Sequence, residues 1–135
     1  MGTRRQARIY AFQSLYAWEE SKPPIDELLN FGWLGFEPKE ITRTFASLLV
    51  IGTIDNIEKI DEQIRGHLTK WSFDRVSRVD LANLRTSAYA LIFQQDIPVT
   101  VTINEAIEIA KEFGSDESYR FVNGVLDGIS KAPLS

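Results

Sequence analysis

Residues 121–129 read FVNGVLDGI, and the fold depends on how they are read. Asn123-Gly124 is the dipeptide that most strongly signals a β-hairpin, because both residues tolerate the positive φ such a turn requires. Around it, however, Val122, Val125, Leu126 and Ile129 fall at i, i+3, i+4 and i+7, the apolar stripe of an α-helix. A strand would need alternation, and the stripe runs through the dipeptide without a break. The segment is therefore predicted to be helical, and the chain all-α.

Working outward, the same period recurs. Ser115 opens this last helix and Gly114 ends the one before it as a C-cap. Thr102-Ile103-Asn104-Glu105 has the form of a capping box, followed by Ala106, Ile107 and Ala110, although the β-branched run from Val99 to Ile103 would also suit a strand. Ser77-Arg78-Val79-Asp80 is a second capping box, and Leu81, Leu84, Ala88 and Leu91 carry its helix to about residue 95, before Asp96-Ile97-Pro98. Ser72–Val76 reads as a helical turn. Ile41, Phe45, Leu48, Gly52, Ile57, Ile60, Ile64 and Leu68 predict one long helix from Glu37-Pro38 to about residue 68. Glycine inside a helix costs about 1 kcal/mol against alanine, so Gly52 is read as the place where another helix comes close. Ile25, Leu28 and Leu29 suggest a short helix after the Ser21–Pro24 break, and Ile9, Phe12, Leu15 and Tyr16 mark a first helix over residues 4–20. The expectation is about seven helices in a single domain, residues 1–135.

A chain of 135 residues, 44% hydrophobic and 25% charged, can bury a real core. It has no cysteine, which excludes disulfides and thiolate metal sites and suits a reducing cytosol. No apolar run reaches membrane-spanning length, so a cytoplasmic protein without a membrane partner is expected. The net charge is -4, but it is segregated. Residues 1–18 hold Arg4, Arg5 and Arg8 with no carboxylate, and residues 19–64 hold four basic against ten acidic side chains. Residues 65–90 hold five basic against two acidic, and residues 91–135 three against seven. Alternating blocks of this kind suit a molecule with more than one type of neighbour.

Enzymatic signatures are missing: no HExxH, GxSxG or phosphate-cradling glycine loop is present. The single histidine, His67, reads as a helix C-terminal residue meeting the helix dipole. No enzyme activity, cofactor or metal is expected. The arginines differ, because cations in a helix's first turn oppose its dipole by about 0.3–1 kcal/mol each. An external phosphate would explain Arg4, Arg5 and Arg8, of which Arg4 and Arg8 share a face; a solvated, frayed terminus is the alternative. A second candidate is the shelf formed by Phe121, Gly124 and Gly128 beside the apolar stripe of the last helix. A base could stack on it, or a neighbouring helix could cover it, with Lys111, Phe113, Ser118 and Arg120 supplying charge, ring and hydroxyl nearby.

Three stretches carry a family resemblance: TRRQAR with AFQSLYAW at residues 3–18, WSFDRVSRVDLANLR from Trp71, and IPVTVTINEAIEIAKEFGSDESYRFVNGVLDGI at residues 97–129. Together they resemble the NusB family of bacterial transcription antitermination factors. The resemblance implies two packed three-helix bundles, no catalysis, and binding to the boxA element of nascent ribosomal RNA transcripts together with NusE, a small-subunit ribosomal protein. It further implies membership of the complex that makes RNA polymerase resistant to termination. It assigns the RNA surface to Arg4, Arg5, Arg8, Lys111, Phe113, Ser118, Arg120 and Phe121, and the NusE-facing side to Tyr16, Asp74 and Asp80. Asp80 also has a complete explanation as the capping-box acid. Two alternatives are a helical protein-interaction module without RNA binding and the front domain of a ribosomal RNA cytosine methyltransferase.

Overall fold

The computed structural model describes residues 2–69 and 72–132; Trp71, part of the family resemblance, lies outside them. Among the described residues there are seven α-helices and no strand. They are α1 (Thr3–Ser21), α2 (Ile25–Leu28), α3 (Glu40–Asp55), α4 (Ile57–Arg65), α5 (Arg78–Phe93), α6 (Val99–Phe113) and α7 (Ser118–Lys131), with 3-10 turns at Gly32–Leu34 and Phe73–Arg75. Asn123 and Gly124 lie inside α7, as the apolar period requires. Val122, Val125, Leu126 and Ile129 are all buried.

Local chemistry sets the boundaries. Lys22 adopts the left-handed conformation (φ 47°), closes α1 by donating its N–H to the Trp18 carbonyl, and is followed by two prolines that cannot continue the helix. The long helix expected to reach residue 68 is instead two helices, α3 and α4, separated at Asn56. The Asn56 side-chain amide donates to the Gly52 carbonyl at 2.8 Å and its backbone leaves the helical region (φ -117°, ψ 23°). A short amide side chain competing for backbone partners is a known helix interrupter. The capping box expected at Thr102 does not form. The helix begins three residues earlier at Val99, where the Pro98 carbonyl accepts the N–H groups of Val101 and Thr102, and Thr102 is buried inside α6. Ser115 belongs to the turn before α7, which starts at Ser118.

The buried face of α3 is also not the predicted one. Thr42, Ala46, Leu49, Val50 and Thr53 point inward, whereas Ile41 and Leu48 are more than half exposed. LLVI at residues 48–51 is apolar on two faces, so periodicity alone could not choose between them. Gly52 behaves as expected: a Cβ there would sit 2.2 Å from the Tyr89 ring, so α3 and α5 can approach only over a glycine.

The two bundles meet at α5. It packs against α1 and α3, and equally against α4, α6 and α7. Residues 81–88 are accordingly buried all round, including Asn83, Arg85, Thr86 and Ser87. Buried polar groups need partners. Asn83 donates to the Ala106 carbonyl of α6 at 2.9 Å. Arg85 donates from Nε and Nη2 to the two oxygens of Asp61 on α4, both at 2.9 Å, and from Nη1 to Glu19 on α1 at 2.9 Å. One guanidinium thus joins three helices. Burial opposes the Arg85 charge, but the Asp61 and Glu19 carboxylates outweigh it and raise its pKa.

Removing one member of a buried ion pair leaves an uncompensated charge and typically costs about 3–5 kcal/mol. Asp61→Ala should therefore lower unfolding stability by an amount in that range, measured by urea denaturation, while Lys131→Ala on the exposed Asp127 pair should leave it almost unchanged. Burial pushes the Glu19 carboxyl up, but Arg85 and Lys22 pull it below its ordinary value. A carboxylate with a depressed folded pKa stabilises the fold above its unfolded pKa and loses that contribution as pH falls through the folded one. The Glu19→Gln protein should consequently show a shallower loss of stability on acidification than the parent.

Candidate nucleic-acid interface

Folding places the N-terminal arginines against α6 and α3. Arg5 Nε donates to both Glu105 oxygens at 3.1 and 3.2 Å, and its Nη2 donates to Oε2 at 2.8 Å. Arg8 Nη1 reaches Oε1 of the same carboxylate at 3.3 Å. Hydrogen bonding from Arg5 holds the Glu105 carboxyl below the usual carboxylate range, against a smaller opposing effect of burial. Arg4 takes another direction, with its guanidinium 4.8 Å from the centre of the Phe45 ring on α3. Arg4 and Arg8 share a groove with Phe45 and Leu48, as their spacing predicts, and Arg8 also lines the groove between α1 and α6 with Arg5.

That α1–α6 groove, about 330 Å³, brings the N-terminal arginines next to the α6–α7 candidate segment, since Lys111 lines it beside Arg5 and Arg8. It also contains Glu105, Glu108 and Glu112, so three cations face three carboxylates. The acid-free segment of the sequence is balanced in space by α6. No sequence signal could have exposed Glu105, about a hundred positions away from its arginines.

Phe113 follows at the end of α6, toward α7. Its ring lies 5.2 Å from that of Phe12 on α1, tilted by 47°, and remains 36% exposed. Beyond it lies a second concavity of about 410 Å³ lined by Phe113, Asp80, Ser118 and Phe121. A third, of about 560 Å³, lies past Phe121 and is lined by Gly124, Arg120 and His67. The Phe121 ring borders both and is partly buried, packed at the edge of the larger core cluster.

The remaining site residues sort by exposure. Ser118 is buried, accepts the Ser115 N–H at 2.9 Å and lies 3.1 Å from the Ser115 hydroxyl. It braces the α6–α7 turn from behind the surface and does not present its hydroxyl to solvent. Arg120 is exposed and donates to the Tyr119 hydroxyl at 3.0 Å, while Lys111 Nζ lies 5.5 Å from the centre of the same ring. Tyr119, passed over in the sequence, therefore holds two of the cations. Gly128 does not extend the shelf as expected: a Cβ there would lie 2.6 Å from His67, whose ring covers it, whereas Gly124 has open space above it. His67 Nδ1 lies 2.8 Å from the Gln63 carbonyl, which is the helix C-terminal contact its position suggested.

Tyr16 is exposed on α1 and Asp74 is exposed on the 3-10 turn before α5. Asp80 is neither exposed nor apart from the aromatic residues. Its backbone N–H donates to the Ser77 hydroxyl at 3.1 Å, so the cap forms. The reciprocal half of the capping box does not, and Asp80 Oδ1 is buried without a hydrogen-bond partner among the described residues. Burial pushes its carboxyl above the ordinary aspartate value, with the Ser118 and Ser77 hydroxyls acting in the opposite sense. The acid has turned toward α7. Among the described residues no group of acids and histidine could hold a metal ion, and no helix is long and apolar enough to cross a membrane.

Comparison with known proteins places this surface in context. The NusB family matches residues 5–131. The transcription antitermination protein NusB of Treponema pallidum (strain Nichols) is 47% identical over 131 residues, covering 96% of this chain and 93% of the relative. The structure of T. maritima NusB superposes with a TM-score of 0.84 at 37% identity, covering 95% of this chain and 90% of that one. A crystal structure of the antitermination factors NusB and NusE in complex with dsRNA superposes with a TM-score of 0.86 at 30% identity, covering 97% and 98%.

The Arg5–Glu105 geometry has a direct spectroscopic consequence. Glu105 should titrate below an ordinary glutamate in carboxyl ¹³C NMR. It should move back up in Arg5→Ala and shift much less in Arg4→Ala, because Arg4 faces α3.

Proposed function

The chain belongs to the NusB family, and we propose from that premise that it is a transcription antitermination factor that binds RNA together with NusE. Its RNA is the boxA element of nascent ribosomal RNA transcripts, and the pair it forms with NusE joins the complex that makes RNA polymerase resistant to termination. It works by binding, without catalysis. The observation that carries this reading is the series of three concavities running from Arg5, Arg8 and Lys111, past Phe113, to Phe121 and Arg120. Cations at one end and partly exposed rings along the rest are what a single strand needs: charge for its phosphates and π-faces for its bases.

The Glu105 pairing shapes how such a strand is held. A phosphate approaching Arg5 and Arg8 must exchange with the carboxylate that already occupies their donors, so binding is an exchange of anions and not the filling of a bare cationic site. Tyr16 and Asp74, exposed on α1 and before α5, are assigned to the NusE side, where the acidic residues complement a basic ribosomal-type protein. Asp80 lies against the aromatic concavity and is assigned to the boundary between the two surfaces. Ser118 contributes by fixing the turn that carries Arg120 and Phe121.

Each phosphate neutralised on single-stranded RNA adds about 0.7 to the slope of log affinity against log salt. Changing Arg4, Arg5 and Arg8 together to alanine should weaken binding to a short boxA-type RNA and flatten that slope by up to about 2, measured by fluorescence anisotropy with and without NusE. Unchanged affinity and slope would leave a solvated basic terminus and a protein-binding module. Phe121→Ala separates stacking from packing. Loss of a stacking platform removes roughly 1–3 kcal/mol of RNA affinity per base, whereas loss of a core phenylalanine removes about 3–5 kcal/mol of stability. The partly exposed position of the ring predicts the first as the larger effect.

A further inference from the structure

The third concavity contains a group that the RNA-binding assignment leaves unused. His67 follows the end of α4 and lies edge-on against α7, filling the space that a side chain at position 128 would take. Its Nδ1 is 2.8 Å from the Gln63 carbonyl, and a carbonyl can only accept, so the proton of the neutral ring is on Nδ1. Nε2 is then a bare acceptor, and it has no hydrogen-bond partner among the described residues. The ring cannot turn away without losing the Gln63 contact and its seat on Gly128.

The surroundings of this acceptor have the form of a base slot. The concavity, about 560 Å³, is in the range of roughly 300–1,000 Å³ typical of small-molecule sites. Phe121 forms one wall, Gly124 leaves the α7 backbone open to close approach, and the exposed Arg120 stands at the rim. The slot is continuous with the Phe113 concavity, because Phe121 and Glu117 line both. A strand that passes Phe113 and reaches Phe121 therefore arrives at His67 next.

We propose that this slot seats one RNA nucleobase against Phe121 and that His67 Nε2 accepts a hydrogen bond from an N–H on the base edge, making His67 a specificity-determining residue. The assignment rests on the RNA-binding reading above. Stacking tolerates any base, whereas a fixed acceptor discriminates among edges by where their donors lie. Its position is set by α4 and α7 and not by a mobile loop, which is what discrimination requires.

The test uses the full chain and a set of short boxA-type RNAs in which each position is varied through the four bases and an abasic site. At one position the parent protein should prefer one base by about fivefold or more, the scale of a single hydrogen bond to a base. His67→Ala should make the four bases equivalent there while retaining the abasic penalty and the salt slope. A preference that survives His67→Ala, or no preference at any position, overturns the proposal. Because His67→Ala also vacates a packed seat, the unaltered protein supplies a second measurement. The imidazole Nε2 ¹⁵N resonance should shift on adding the preferred RNA and stay in place with the abasic RNA at that position; an Nε2 signal indifferent to both overturns it. If the parent binds none of these RNAs with a salt dependence, it is the RNA-binding reading that fails, which separates the two outcomes.

Discussion

One buried guanidinium organises this molecule. Arg85 sits in the middle of α5, 6% exposed at the side chain, and must find partners because an unpaired charge there would be prohibitive. It finds Asp61 on α4 and Glu19 on α1. Since α5 already contacts both bundles, those bonds fix how the first and fourth helices approach it, and hence how one bundle is set against the other. Apolar packing supplies the bulk of the driving force, through clusters centred on Leu15 and Val50 in one bundle and on Leu84 and Leu126 in the other. It is largely non-directional, however. The bidentate pairing to Asp61 supplies direction.

The relative placement of the bundles creates the surface proposed to bind RNA. Arg5 and Arg8 meet Glu105, and Phe12 meets Phe113, only because α1 and α6 face each other across a groove. The aromatic part of the track is made in the same way. Asp80 at the start of α5, Phe113 at the end of α6 and Phe121 on α7 converge where three helices meet. The surface is a seam between elements, so its geometry depends on the Arg85 network well beneath it.

The electrostatics of the seam are balanced rather than purely cationic. Carboxylates on α6 face the cations of α1, and Glu117 lies beside Arg120. The Arg120–Glu117 pair is exposed and contributes little to stability, whereas Glu105 and Arg8 are largely buried and hold α1 against α6. A cationic groove already matched by acids binds stray anions weakly and keeps its side chains ordered, and a polyanion displaces the acids only by engaging several cations at once.

The sequence determined the helical class and most helix positions, because the 3.6-residue period of Val122 to Ile129 and of Leu81 to Leu91 is a local property that survives even Asn123-Gly124. It also marked the arginines and Phe121 as exceptional, since their oddity lies in composition and spacing. Tertiary structure decided the rest. The interruption at Asn56 depends on a side-chain bond to Gly52, and the inward face of α3 depends on which of two apolar stripes meets α1 and α5. Glu105 looked like a cap and became a partner of Arg5, because Pro98 starts α6 first and leaves that carboxylate pointing across the seam. His67 looked like the end of a helix and is one, but its seat on Gly128, some sixty residues away, is visible only when α4 and α7 are packed. Periodicity records what a residue does within its own helix; pairing across helices is decided by how the helices are placed, and no local pattern encodes that.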